Sequence, residues 1–261
     1  MHGYEVFRHY ERKRWALDDI PFDEIDTGLA RPEYVTMVRS AVMGEANSIA
    51  AQHGFLNEFD DYDFSAFVAV WGFEELQHHF AFRTWLEAVG VTMPAGPVEA
   101  MRAPYAPGTT PSATLATNII SELTVNHVYR SVATWVDEPV LRELMTRASR
   151  DEASHAREFL HYARRRLATH PDELPSVLET LHLYTAEARI KHPVGVFKGG
   201  LAELADHDTI DTAFDLFLAR IATEGELTRL QDNIRRAFGS LTGLDVSSSS
   251  RIRRRLAEAL A

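Results

Sequence analysis

Two short stretches carry the chemistry open to this sequence: Glu75-Leu-Gln-His78 and Glu152-Ala-Ser-His155, each a Glu-x-x-His. On a helix, residues three apart share a face, so each pair can present a carboxylate and an imidazole to one point. Thirty residues before Glu75 stands Glu45, and thirty residues before Glu152 stands Glu122. Both lie inside apolar stretches, SAVMGEANSI and TNIISELTVN, where an unpaired charge is costly to bury. One Glu-x-x-His is common on solvated helices; a repeated set at a repeated interval is not a pattern of surface charge. Carboxylates and imidazoles together suit a redox metal, because hard oxygens stabilise the ferric state and imidazoles keep the ferrous state accessible. An acidic residue precedes each paired Glu, Glu74 and Asp151. There a carboxylate could accept the second N–H of a ligand His on the facing helix.

The elements that must position these residues read as helices. Pro32-Glu33 opens a segment whose apolar spacing runs through Gln52, ended by Gly54 and Asp60-Asp61-Tyr62-Asp63. A second segment, Phe64 to Val89, stops at Gly90. Val91 to Ser112 holds five prolines and reads as a linker. Helical pattern resumes from about Ala113 to Trp135, and Asp137-Glu138-Pro139 begins a helix that reaches His170 before Pro171. Periodicity returns at Ala213–Phe238, and strand signals are almost missing. The expectation is an all-α single domain over 1–261, with a ligand-bearing bundle at about 32–170 and a helical extension at about 171–261. Four helices with two lone Glu and two Glu-x-x-His pairs make the inward-facing ligand set of a di-iron or di-manganese carboxylate bundle.

Composition narrows the alternatives. The 261 residues contain no Cys, which excludes disulfides, thiolate metal sites and cysteine nucleophiles. A net charge of −11 disfavours nucleic acid as a partner. No apolar run follows the basic residues of MHGYEVFRHYERKR, and the longest apolar stretch, around Phe64–Phe73, falls short of a membrane span. A soluble, cytoplasmic protein is expected. His53, His79, His127 and His161 read as solvent-facing or supporting rather than ligating. Ile49, Phe73, Ile119 and Val125, on ligand-bearing segments, could line a narrow channel. The basic runs Arg164-Arg165-Arg166 and Arg251, Arg253, Arg254, Arg255 read as solvated faces or as a dock for an acidic carrier protein.

The motifs resemble those of the soluble acyl-[acyl-carrier-protein] desaturases, within the ferritin-like di-iron carboxylate proteins. Trp71-Gly-Phe-Glu-Glu-Leu-Gln-His78 matches the spacing of the family's first motif, and HFAFRTWLEAVG keeps its aromatic rhythm to Gly90. Asp151-Glu-Ala-Ser-His155 is similar to its second. Trp15-Ala-Leu-Asp-Asp19, Leu241-Thr-Gly-Leu244 and Arg251-Ile-Arg-Arg-Arg255 resemble flanking and end segments. The resemblance implies a ferritin-like four-helix bundle core with additional helices at both ends, holding two Fe ions (Fe2+/Fe3+), with Mn as the alternative metal. Glu45 and His78 would bind one ion, Glu122 and His155 the other, and Glu75 and Glu152 would bridge. It further implies a Trp15–Asp151–His78 path for electron entry, a ferredoxin-type electron donor, acyl carrier protein as substrate carrier, and a homodimer. The implied activity is O2-dependent desaturation of a fatty acyl chain.

One departure concerns the helix bearing Glu122. The family places Thr three residues after this Glu, whereas here that position is Val125, with Thr124 one step away. On a helix, residues 122 and 125 lie about 60° apart and 122 and 124 about 160° apart, so Val125 is expected to flank the metals while Thr124 faces elsewhere. Two other readings share the ligand set. Arylamine N-oxygenases add a third His one turn before the last motif's Glu, where this chain has Ala148. A non-catalytic iron-binding bundle would leave unexplained the residues after His170.

Overall fold

The computed structural model describes residues 1–101, 107–185, 219–220 and 223–261. Asp61, Thr110, Glu138 and Ser248 each accept backbone N–H groups of a first turn, and proline occupies the start of three helices. Among the described residues the helices include α1 (His2–Lys13), α2 (Pro32–Ala46), α3 (Ser48–Glu58), α4 (Tyr62–Ala88), α5 (Ala95–Ala100), α6 (Pro111–Ala133), α7 (Pro139–Thr169), α8 (Leu174–Thr185), α9 (Glu224–Thr242) and α10 (Ser249–Ala259). Short 3-10 turns join α1 to α2, and the described residues contain no strand. Gly90 ends α4 with φ +79°, and Val91 N–H returns to Leu86 O at 2.8 Å.

Packing follows two helix pairs. The short 134–138 link folds α7 back along α6, while α2 lies along α4; contacts between α4 and α7 join the pairs into a four-helix bundle. Two apolar plugs fill it. One gathers Met37, Phe82, Trp85, Val128, Leu141 and Leu144; the other gathers Phe55, Phe67, Trp71, Ile119, Phe159 and Leu178. Along α4, α6 and α7 the two plugs occupy opposite ends of each helix, and the Glu and His residues fall between them. The polar cluster is therefore the waist of the bundle, sealed above and below by hydrocarbon. Outside the bundle, α1 packs on α4, and α8 packs on α6 and α10.

Several boundaries differ from expectation. The segment starting at Pro32 is interrupted at Asn47, where two poor helix formers, Gly44 and Asn47, lie close together. The chain resumes as α3 and passes through Gly54 to Glu58, because Phe55 is fully buried there. The linker contains α5, and α6 begins two residues earlier than Ala113, at Pro111. Residues 213–218 and 221–222 of the expected Ala213–Phe238 segment lie outside the described residues, and α9 begins at Glu224. The N-terminal residues form α1, one of the additional helices expected at the two ends, and its Val6 and Tyr10 join an apolar plug. Among the described residues no helix is long and apolar enough to cross a membrane.

Candidate metal centre

Four helices deliver the predicted residues to the waist: Glu45 from α2, Glu75 and His78 from α4, Glu122 from α6, Glu152 and His155 from α7. All six are buried. They form two groups, Glu45–Glu75–His78–Glu152 and Glu75–Glu122–Glu152–His155, and within each group one ligand atom per residue lies within 4.8 Å of the others. Glu75 and Glu152 belong to both. Glu152 divides its oxygens between the halves, with Oε1 3.2 Å from His78 Nδ1 and Oε2 3.4 Å from His155 Nδ1. His155 Nδ1 also lies 2.9 Å from Glu75 Oε1 and 3.5 Å from Glu122 Oε2, and His78 Nδ1 is 3.9 Å from Glu45 Oε2.

These groups could hold metal ions. Glu75 Oε1, Glu152 Oε1 and His78 Nδ1 are buried and make no well-aligned hydrogen bond despite their close neighbours, so these donor atoms converge on common points. Four carboxylates with two neutral imidazoles also balance two divalent cations. The electrostatics agree. Burial and the surrounding carboxylates push Glu75 and Glu122 well above the usual carboxylate range. Glu152 moves the other way: burial alone would raise it, but His155 and His78 pull it down. Burial opposes protonation of the two imidazoles, yet the carboxylates around them raise both well above the ordinary histidine value.

A crossed pair of hydrogen bonds aims the imidazoles. His78 Nε2, from α4, lies 3.0 Å from Asp151 Oδ2 on α7, and His155 Nε2, from α7, lies 3.0 Å from Glu74 Oε2 on α4. With Nε2–H donating outward, each Nδ1 lone pair points into the cluster. Trp15 Nε1–H donates to the same Asp151 Oδ2 at 2.7 Å, and its ring lies nearly parallel to that of His78, 6.2 Å between centroids. The sequence reading missed two further contacts. Trp71 Nε1–H donates to Glu122 Oε1 at 3.1 Å, and Tyr129 Oη–H donates to Glu45 Oε1. The only local signal for Tyr129 was its place two turns after Glu122, on the same face.

Val125 is buried on the α6 face that carries Glu122 and Tyr129, whereas the hydroxyl of buried Thr124 donates to Ile120 O at 2.7 Å. Other expectations need correction. Ile49 and Phe73 are 40% and 49% exposed and line no interior channel. Phe73 is two residues from Glu75 and so faces away, and the Asn47 kink separates Ile49 from Glu45. Ile119 is fully buried within an apolar plug. Of the four histidines expected to face solvent or to support, His79 and His127 are buried outside the cluster: His79 Nδ1 pairs with Val42 O, and His127 Nε2 lies 3.0 Å from Glu226 Oε2. His53 is exposed beside Asn57, and half-buried His161 stacks on His2.

The basic runs are largely neutralised within the chain. Arg165 pairs with Asp61 and Asp63, Arg166 with Glu173, Arg251 with Asp245, and Arg254 and Arg255 with Glu258. A different basic surface appears outside Asp151 and Glu74. A cavity of about 680 Å3 there is lined by Lys13, Arg14, Arg142, Arg147 and Arg150, with Trp15 at its wall. Glu74, Glu143 and Asp151 are its acidic groups.

No protein-family model and no curated protein sequence matches the chain. Among solved structures it is similar to the "X-ray structure of putative acyl-ACP desaturase DesA2 from Mycobacterium tuberculosis H37Rv". The identity is 19% and the TM-score 0.49, over 86% of this chain and 91% of that one. A likeness of that size assigns no activity.

Proposed function

We propose that the chain is an O2-dependent di-iron oxidase that desaturates a fatty acyl chain carried on acyl carrier protein. The observation that carries the reading is the sharing of Glu75 and Glu152 by two Glu/His clusters at the bundle's waist. Glu45 and His78 would hold one iron and Glu122 and His155 the other, with Glu75 and Glu152 bridging; manganese is the alternative metal. Two irons there would let O2, with two electrons from an external donor, remove two hydrogens from an unactivated acyl chain. The balance is one CH2–CH2 unit, O2, two electrons and two protons, giving one CH=CH unit and two waters.

The chain's own residues do the rest. The apolar plugs exclude water from the waist, which strengthens every electrostatic interaction inside it. Val125 presents methyl groups beside Glu122, so the oxygen side of the pocket lacks the hydroxyl that the resembling family places there. Asp151 and Glu74 keep His78 and His155 in the tautomer that offers Nδ1 inward. The Trp15–Asp151–His78 connection supports electron entry on this side. The basic cavity beside it would dock an acidic, ferredoxin-type donor, steering encounter by complementary charge. Arg164 and Arg253, exposed and without an acidic partner among the described residues, would contribute to holding the carrier protein. Phe73 and Phe80, half-exposed along one stripe of α4, would be covered in a homodimer.

Ala148, the position of a third His in N-oxygenases, is buried among apolar side chains, which favours the desaturase reading. The test is mass spectrometry of acyl-carrier substrates after reaction of the iron-loaded protein with O2 and a reductant. An acyl product lighter by two hydrogens supports the proposal; oxidation of arylamines without any acyl product overturns it.

A further inference from the structure

Trp15 reaches the centre from a stretch that has no helix of its own. The last hydrogen bond of α1 runs from Arg14 N–H to Tyr10 O, and Arg14 and Ala16, on either side of Trp15, are both extended. Trp15 is nevertheless buried, its indole donates to Asp151 Oδ2 at 2.7 Å, and its ring lies 13° from parallel with that of His78. One hydrogen bond at the indole tip leaves the rest of the residue free to swing about that oxygen. Two side chains of α4 remove this freedom. Buried Gln77 donates Nε2–H to the Trp15 carbonyl at 2.8 Å, and the Arg14 guanidinium lies over the ring of half-exposed Phe73, 4.6 Å from its centroid. Residues 73 and 77 are four apart and share one helical face. Gln77 also directly precedes His78 in the chain.

We propose that Gln77 is the positioning residue that registers Trp15 against His78. Asp151 ties the indole to α7, while Gln77 ties the Trp15 backbone to the residue of α4 next to the imidazole it stacks on. The spacing of the two rings is then set within one rigid helix as well as across the bundle. A glutamine suits the place, because its amide donates to a carbonyl without adding a charge beside the buried carboxylates. What the contact serves rests on the two-iron reading above; the seating of Trp15 needs no metal. On that reading each electron from a ferredoxin-type donor passes here to one Fe3+, giving Fe2+ and the oxidised donor, with no bond made or broken. Loss of the Gln77 amide leaves the backbone of residues 14 and 15 anchored to α4 only by the half-exposed Arg14–Phe73 contact.

Gln77→Met removes both amide donors and keeps the side chain's length. The chain has four tryptophans, at 15, 71, 85 and 135, so 15N-labelled indoles give four N–H signals, of which Trp15 supplies the one lost in Trp15→Phe. In the metal-free protein the Trp15 signal should exchange slowly with solvent, and Gln77→Met should quicken it while the other three keep their wild-type exchange and report an intact fold. Fast exchange in the wild type, or slow exchange in folded Gln77→Met, would overturn the proposal whatever metal the protein holds. In the iron-loaded protein, stopped-flow reduction by a reduced [2Fe–2S] ferredoxin should slow in Gln77→Met toward the rate of Trp15→Phe. The double variant should be no slower than Trp15→Phe alone, because Gln77 acts through Trp15. Slowing that multiplies in the double variant would overturn that role. Quickened exchange in Gln77→Met beside fewer than two irons in the wild type would support the seating and overturn the two-iron reading.

Discussion

Trp15 and His78 share one oxygen of Asp151, at 2.7 and 3.0 Å, although Trp15 lies outside the bundle in sequence and His78 at its centre. Gln77 Nε2–H donates to the Trp15 carbonyl at 2.8 Å, so Trp15 is held through both its backbone and its indole. Asp151→Asn keeps the shape but replaces one acceptor oxygen by a donor. Metal affinity at the His78 half should fall by about 10- to 100-fold, read by calorimetric titration. Trp15→Phe should leave metal stoichiometry intact and slow reduction of the iron-loaded protein by an external donor, measured by stopped flow.

Glu75→Ala and Glu152→Ala each remove a residue common to both clusters, and metal content should drop to at most one ion per chain. Glu45→Ala touches one cluster and should retain the ion of the other. Elemental analysis of the three variants beside a two-ion wild type separates shared from unshared ligands.

Proton competition sets the pH dependence of metal binding. Burial and neighbouring carboxylates raise Glu75 and Glu122, and the carboxylates around His78 and His155 raise the imidazoles against the pull of burial. Groups with raised proton affinity must lose protons to bind a cation. Affinity should therefore weaken as pH falls, starting at higher pH than for solvated carboxylates. Calorimetry in buffers of different ionisation enthalpy should show protons released on binding.

Val125→Thr is nearly isosteric and places a hydroxyl on the face that carries Glu122. The ratio of hydrogen peroxide released to O2 consumed should change, with the product distribution. Thr124→Ala removes a hydroxyl already committed to Ile120 O and should alter only stability, by about 1 kcal/mol or less. A large change in peroxide yield in Thr124→Ala, with none in Val125→Thr, would show that the metal-facing side of α6 is misassigned.

Arg166 binds Glu173 through two nitrogens, at 2.8 and 2.5 Å, and Ser112 N–H donates to the same carboxylate at 3.1 Å. The C-terminal turn of α7 is thereby tied to the first turn of α6. Arg166 leads in lowering Glu173 to about 2. A depressed carboxylate contributes stability above its unfolded value, about 4.3, and loses it as pH falls through the folded value. Glu173→Gln should cost roughly 2 kcal/mol at neutral pH, with the difference from wild type closing between about pH 4 and pH 2, followed by thermal melts across that range.

Local pattern made much of the centre legible. The Glu-x-x-His spacing places a carboxylate and an imidazole on one helical face whatever that face packs against. The acidic residue before each paired Glu lies about 100° around the helix from it, toward the neighbouring helix that carries the other His. The crossed bonds of Asp151 and Glu74 follow from that offset. Phe73 misled because its apolar character carries no sign of direction; its distance of two residues from Glu75 does. The Arg165 and Arg166 run left its role open because charge pattern cannot show which acids a fold will bring alongside.

The sequence by itself determined the helical class, the six buried Glu and His residues, and the orientation of Val125 relative to Thr124. All of these depend on a period of about 3.6 residues acting over a few turns. Only the tertiary structure decided that Tyr129 reaches Glu45, that Trp71 reaches Glu122, and that Lys13 and Arg150 line one cavity beside Trp15. Such contacts join residues on different helices. They depend on the rotation and stagger of whole helices, which the packing of the two apolar plugs sets collectively and no local stretch of sequence encodes.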